Sequence, residues 1–249
     1  MVDFKALTKA HAHRPFAMPS RAWAMTMSWE KLLFAHYRVD PEALRKRVPA
    51  GLELDLFDGQ AYLGIVPFDM RRVGPPGLNW LPWLSHFAEL NVRTYVKRDG
   101  LPGVFFFSLD AANWVAVVAA RLGFHLPYFW AGIRWRQDGR RIHYSSRRLV
   151  GPPAVFSGHY APTGEVYTVE PGGLEHFLTE RYCLYAAAGN GTIYRGHVHH
   201  LPWPLQKAEA DIESNTLLDW LGLNALPGPP LLHYADRIDV VAWQNERLP

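Results

Sequence analysis

Glu89, Asn91, Arg93 and Tyr95 alternate along one stretch, FAELNVRTYVKR, over residues 87–98. Side chains two apart on a strand project to the same face. These four therefore form one polar row, backed by Leu90, Val92, Thr94 and Val96. A carboxylate in such a row serves as acid or base, and a guanidinium binds carboxylates through its fork of N–H donors. Glu89 and Arg93, four apart, are expected to pair if the row is buried. Facing water, the row is ordinary hairpin surface with an ion pair of little consequence. Facing the inside of a closed sheet, it is a binding site.

Other residues carry weaker signals. His197 and His199 alternate in H-V-H-H, and alternate histidines on a strand can chelate zinc. A third ligand would have to come from His36, His86, His125 or Glu89, and no cysteine pair or His-Glu-x-x-His spacing supports one. The competing reading is a polar rim leading into Leu-Pro-Trp-Pro, and no metal or cofactor is expected. Tyr128, Tyr182 and Tyr194 each join an apolar ring to a polar tip, which suits a pocket wall or a core equally. Arg181 is either a buried anchor or a partner for a helix C-terminus. The single cysteine, Cys183, rules out an intramolecular disulfide and reads as a small buried residue. Gly189-Asn190-Gly191 is a hairpin turn rather than a phosphate loop, and no serine sits in a G-x-S-x-G elbow.

The elements that must position these groups read as short strands with inserted helices. Residues 1–22 have no clear period and read as a flexible N-terminal arm. Met27–Tyr37 is a strand, and Asp40-Pro41 opens a short helix. The runs LELDLF and AYLGIVPFDM flank Asp58-Gly59 as a hairpin, with Pro67 marking an edge or a bulge. Residues 72–86, rich in proline and tryptophan, read as an apolar loop able to close over something. The polar row returns through Arg98-Asp99-Gly100 into Val104–Phe107. Asp110 is expected to cap the next helix and Gly123 to end it. Hairpins follow around Asp138-Gly139 and Gly189-Asn190-Gly191, with short helices at 173–181 and 216–223 and a closing strand at 235–243.

Of the 249 residues, 49% are hydrophobic and 20% charged, enough for a large core and against wholesale disorder. A net charge of +3 is too small to imply nucleic acid. The one basic concentration, Arg134 to Arg148, reads as exposed hairpin surface. No apolar run is long enough to span a bilayer, and the first 22 residues lack a signal-peptide core. A cytoplasmic protein without a membrane or nucleic-acid partner is expected. Repeated hairpins without a composition break point to one mainly β domain over residues 23–249.

The chain resembles a known family in six segments: SWEKLLFAHYRVDPEALRKRVPAGLELDLFDGQAYLGIVPFDM, ELNVRTYV, GVFFFSLDAAN, LTERYCLY, HHLPWPLQ and YADRIDVVAW. In that order they resemble the YqjF-like uncharacterised proteins, a branch of the acetoacetate decarboxylase-like fold. The resemblance implies a closed, cone-shaped antiparallel barrel with peripheral helices and a ligand site in its lumen. It also implies where the chemistry would lie. The decarboxylases carry two lysines after a Gly-Tyr-Pro-like segment, and the first forms a Schiff base with a β-keto acid. The matching segment here is Gly123-Phe124-His125-Leu126-Pro127-Tyr128-Phe129, so Tyr128 and Phe129 stand where the lysines would be. A phenol forms no imine with a carbonyl. Among the remaining lysines only Lys31 is on a strand that could turn it inward.

Three functions follow as expectations. The first is a small-molecule-binding barrel for an acidic or keto ligand, with Glu89, Asn91, Arg93, Tyr95, Tyr128, Arg181, Tyr182 and Tyr194 as contacts. The second is an enzyme on a small carboxylate or keto acid, with Glu89 as acid or base and Arg93 as anchor. The third is a homo-oligomerising scaffold with a vestigial pocket. The state of the lumen (open and polar, open and apolar, or filled) separates them.

Overall fold

The structure, a computed structural model, describes residues 3–77 and 85–249. The core of the loop expected at 72–86 therefore lies outside the described residues. The described chain is mainly β. In order it forms α1 (Phe4–Leu7), β1 (Met25–Val39), α2 (Pro41–Arg45), β2 (Glu53–Leu54), β3 (Ala61–Gly74), β4 (Phe87–Arg98) and β5 (Leu101–Ala111). There follow α3 (Trp114–Phe124), β6 (Tyr128–Asp138), β7 (Arg141–Arg148), β8 (Val155–Pro162), α4 (Leu174–Thr179), β9 (Cys183–Ala187) and β10 (Ile193–His199). β11 (Gln206–Asn215), β12 (Leu231–Ala242) and β13 (Glu246–Arg247) complete the chain, with a 3₁₀ turn at Asp219–Leu221. Among the described residues no helix is long and apolar enough to cross a membrane.

The strands join one sheet in the order β13-β10-β9-β5-β6-β7-β8-β11-β12-β1-β3-β4-β2, and β4 also pairs with β5 and β12 with β10. Most pairings are antiparallel. Two are not: β5 pairs in parallel with β6 and with β9. The first follows from α3, which carries the chain across between β5 and β6, as a parallel connection requires.

β4 is buried on both faces from Phe87 to Val96. Leu90, Val92 and Val96 enter one apolar core with Leu33, Ile65 and Phe107. Phe87 and Tyr95 enter a second with Phe34, Phe68 and Trp203. The polar row accordingly has no solvent side.

Two bulges hold that division. Pro67 has no N–H for the ladder, and opposite it the β1–β3 register shifts between Glu30 and Ala35. Lys31 takes a positive φ of 55° there. One extra residue inverts the phase of a strand. Met25, Met27 and Trp29 therefore face the second core before the bulge, and Leu32 and Phe34 face it afterwards. β5 does the same where its register against β4 shifts at Val92/Arg93: Val104 and Phe106 precede the switch, Leu109 and Ala111 follow it.

Several local expectations are corrected. LELDLF pairs across Asp58-Gly59 only at its last residue, in a single bridge from Phe57 to Gln60 just before β3; its Glu53–Leu54 stretch pairs with β4 instead. Asp110 is not the cap of α3. It stays in β5, and the Asn113 side chain caps the helix by accepting from the backbone N–H groups of Val115 and Ala116 at 3.0 and 3.2 Å. Gly123 does not end it either, because His125 supplies the left-handed residue, with φ 55°. Asp40 does cap α2, with Pro41 at its first position.

Residues 3–22 carry a helical turn the sequence pattern did not show. Phe4 and Leu7 of α1 pack on Val241 and Trp243. Arg14 donates to the Val198 carbonyl at 2.7 Å.

Candidate functional site

The second core does not fill its space. A cavity of about 440 Å³ lies among β1, β3, β4, β5, α3 and β10. Met25, Met27, Trp29, Phe68, Met70 and Phe106 make much of its wall, Glu89 and Arg93 supply its charged groups, and Asn91 and Asn245 its amides. The polar row thus points inward. Ala119 of α3, also on the wall, is exposed, whereas Glu89, Asn91 and Arg93 are buried. The cavity opens beside α3 and runs inward along β4.

Glu89 is 2% exposed. Its Oε2 accepts from the Tyr128 hydroxyl at 2.8 Å. Burial pushes its carboxyl up to about 8, against the opposing pull of Tyr128 and Asn91. The Tyr128 phenol is raised by the same burial and by the facing carboxylate. At neutral pH the pair therefore shares protons and carries little charge.

Arg93 does not pair with Glu89. Residues four apart on a helix are neighbours, but on a strand four residues of ~3.3 Å separate their Cα atoms by about 13 Å. The Arg93 guanidinium reaches the other way. It donates to the Leu178 carbonyl at 3.3 Å and lies over Phe34 and Tyr95, 5.2 and 5.9 Å from the ring centres. Among the described residues no carboxylate lies within ion-pair distance of it, and residues 78–84 contain no acid. Its Nε is buried without a partner, as is Oδ1 of Asn91. Gly64 makes room for it: a Cβ there would meet Arg93 Cγ and His36 Cδ2, each at 3.3 Å.

Tyr95 continues the row but is spent on structure. Its hydroxyl donates to the Leu178 carbonyl at 2.8 Å and meets His36 Nε2 at 2.7 Å. Burial, then the nearby Arg93, holds His36 well below the usual histidine range. The other expected contacts do not line the cavity. Arg181 is bound to Asp55 at 2.6 Å. Tyr182 donates to the Glu180 carboxylate and stacks on His200, and Tyr194 stacks on His125. His197 does line the cavity. His199 instead meets the Leu7 carbonyl of the arm at 3.0 Å. Burial holds both histidines down at about 4. Among the described residues no group of three or more histidine, cysteine or acidic side chains is placed to hold a metal.

Among the described residues no lysine lines the cavity, and residues 78–84 contain none. Lys31, the one that might have turned inward, reaches Asp236 at 2.6 Å and lies partly in solvent. Tyr128 is on the wall.

Sequence reading did not place His36 against the polar row, and it missed the Asp110–Arg148 pair. His36 faces the second core only because β1 changes phase at Lys31. Arg148 seemed part of an exposed basic hairpin. It is buried instead, with Nε 2.9 Å and Nη2 2.8 Å from Asp110 Oδ1.

Comparisons with known proteins bear on the fold and the family. The enduracididine biosynthesis enzyme MppR, solved in complex with pyruvate, superposes with a TM-score of 0.65 at 14% identity, covering 96% of this chain and 93% of that one. An acetoacetate decarboxylase-like enzyme from Sphingomonas wittichii RW1 gives 0.61 at 15% identity over 94% and 98%. Acetoacetate decarboxylase from Legionella pneumophila gives 0.61 at 11% over 100% and 96%. At such identities the likeness is one of fold. In sequence, the uncharacterized protein YqjF of Bacillus subtilis is 41% identical over 237 residues, 95% of this chain and 98% of that protein. The DUF2071 model, described as an uncharacterized conserved protein, matches residues 26–239. The chain therefore belongs to the DUF2071 family, on an acetoacetate decarboxylase-like fold.

Proposed function

We propose that this protein binds a small acidic or keto compound in the cavity beside β4, without imine chemistry. The β4–β5 and β10–β12 pairings, added to the strand order, support a sheet closed into a barrel around that site. The two cores share β1, β3, β4 and β5, which supports a single domain over 23–249. The observation that carries the reading is the cavity itself: about 440 Å³, mostly apolar, with Glu89, Asn91 and Arg93 buried on one wall. A filled lumen would have favoured the scaffold. An apolar cleft with a few converging polar groups is the usual form of a small-molecule site.

A second reading rests on Glu89. A carboxyl held near 8 and hydrogen-bonded to a phenol is poised to give or take a proton at neutral pH. On that reading the protein is an enzyme on the same ligand class, with Glu89 as acid or base.

A thermal-shift screen against small carboxylic and keto acids tests binding. A ligand at 100 times its Kd stabilises by about 2.7 kcal/mol, which moves the midpoint measurably. A panel in which no acid raises the midpoint defeats the proposal. Turnover of a hit, abolished in Glu89→Gln, would separate the second reading from the first.

A further inference from the structure

We infer that the ligand is an elongated amphipathic monocarboxylate, with its anionic head on Arg93 at the inner end and an apolar body lying along the cavity toward α3. This rests on the reading that the cavity is the binding site, and it names what that site selects.

Three observations carry it. The first is charge. Arg93 is buried and cationic, yet it has no carboxylate partner among the described residues, and its Nε donor is unpartnered. A buried charge left uncompensated is costly, and a bound anion removes that cost. Glu89 does not supply it, being set about 13 Å away along the strand. One cation calls for one anionic group.

The second is size and lining. A cavity of about 440 Å³ falls in the range of sites for drug-sized ligands. A three- or four-carbon keto acid seated on Arg93 would leave most of it empty. The lining is apolar, and Met25, Met27 and Met70 are the unbranched, adaptable side chains that shape themselves around a flexible chain.

The third is direction. The exposed wall residues are Ala119 of α3, which directly follows the end of β5 that pairs with Glu89, and Pro75, just past the end of β3 that lies nearer Glu89 than Arg93. Arg93 pairs further along β5, at Phe106. The head must pass Glu89 to reach Arg93, so the body lies between the two and out toward α3. The Glu89–Tyr128 pair then flanks the body rather than the head.

The test is calorimetric titration at pH 6 of the full chain and of Arg93→Gln. The probes are acetoacetate, pyruvate, butyrate, octanoate, decanoate, decanol and decylamine. Each buried methylene should tighten binding about three- to fourfold. Decanoate is then expected to bind at least about 100-fold tighter than acetoacetate, and decylamine not at all. Arg93→Gln should weaken decanoate about tenfold or more and change decanol by less than about twofold, since the apolar wall is untouched. Retained decanol binding shows that the variant is folded. If it does not fold, the chain-length series and the decanoate-to-decylamine contrast in the unaltered protein decide alone. Short keto acids binding as tightly as decanoate would overturn the inference and leave the proposed site standing. Decanol and decylamine binding as well as decanoate would overturn the role of Arg93. Silence from every probe would overturn both the inference and the site.

Discussion

The Tyr128 hydroxyl donates to Glu89 Oε2 at 2.8 Å inside an apolar wall, and no lysine stands on that wall among the described residues. The Tyr128 phenol is thus held by a buried carboxyl. The proposed function accordingly rests on binding, with proton transfer at Glu89 as the second reading.

Borohydride reduction in the presence of acetoacetate or pyruvate should leave the protein mass unchanged. A stable adduct on any lysine, located by peptide mapping, would contradict the absence of an imine-forming amine in the cavity.

Glu89 should make stability fall as pH rises. Its carboxyl is about 8 folded, against 4.5 for a free side chain. Below about 4.5 both states hold the proton, and its contribution is fully present. Between about 4.5 and 8 the unfolded chain releases the proton while the folded chain keeps it, and stability is lost. Urea midpoints of the unaltered protein should therefore drop relative to Glu89→Gln from pH 5 to pH 8 and then level off. Parallel pH profiles for the two proteins would show Glu89 to be ordinary.

Arg93 and Glu89 should be energetically independent. Their double-mutant cycle is expected to close within about 0.5 kcal/mol, as for residues not in contact. Arg93→Met, which keeps length and removes a charge with no ionic partner, should cost less than about 1 kcal/mol or stabilise. The Leu178 carbonyl keeps its bond from Tyr95. A coupling of 2 kcal/mol or more by denaturant titration, on the order expected for a broken buried pair, would mean that the two side chains meet.

Asp110 and Arg148 should behave in the opposite way. Their side chains are 1% and 0% exposed, with Nη2 and Oδ1 2.8 Å apart. Burial raises the Asp110 carboxyl and Arg148 pulls it back. Arg148→Met should cost about 3–5 kcal/mol by stranding the carboxylate, and adding Asp110→Asn should recover much of the loss. Equal midpoints for the single and double variants would count against it.

These contrasts show how far the sequence could be read. The polar row on β4 was legible because period-2 alternation needs no knowledge of neighbours, and β4 keeps one phase throughout. Its inward direction came from family likeness, not from the pattern, since both faces of β4 are buried and alternation alone does not say which holds a cavity. The Glu89–Arg93 pair was misread because a four-residue spacing brings charges together on a helix and separates them on a strand. His36 was hidden by the Lys31 bulge, although Pro67 announced an irregularity nearby. Asp110 looked like a cap because aspartate caps well; the true cap, Asn113, lay three residues on. β2 and the parallel pairings of β5 depend on long-range closure that local turn signals do not encode.

The bulge at Lys31 also sets what the chain tolerates. Because Met27 and Leu32 reach the same wall only through one surplus residue, removing Lys31 would restore strict alternation. Met25, Met27, Trp29, Leu32 and Phe34 would then keep the cavity side in unbroken alternation. A single deletion elsewhere in β1 removes no surplus residue and inverts one side of the strand, so that either Met25 and Met27 or the Phe34 seat beneath the Arg93 guanidinium would leave the cavity. Along β1, the place at which a residue is lost is therefore part of the binding site's specification: the bulge can absorb a deletion, and the regular strand on either side of it cannot.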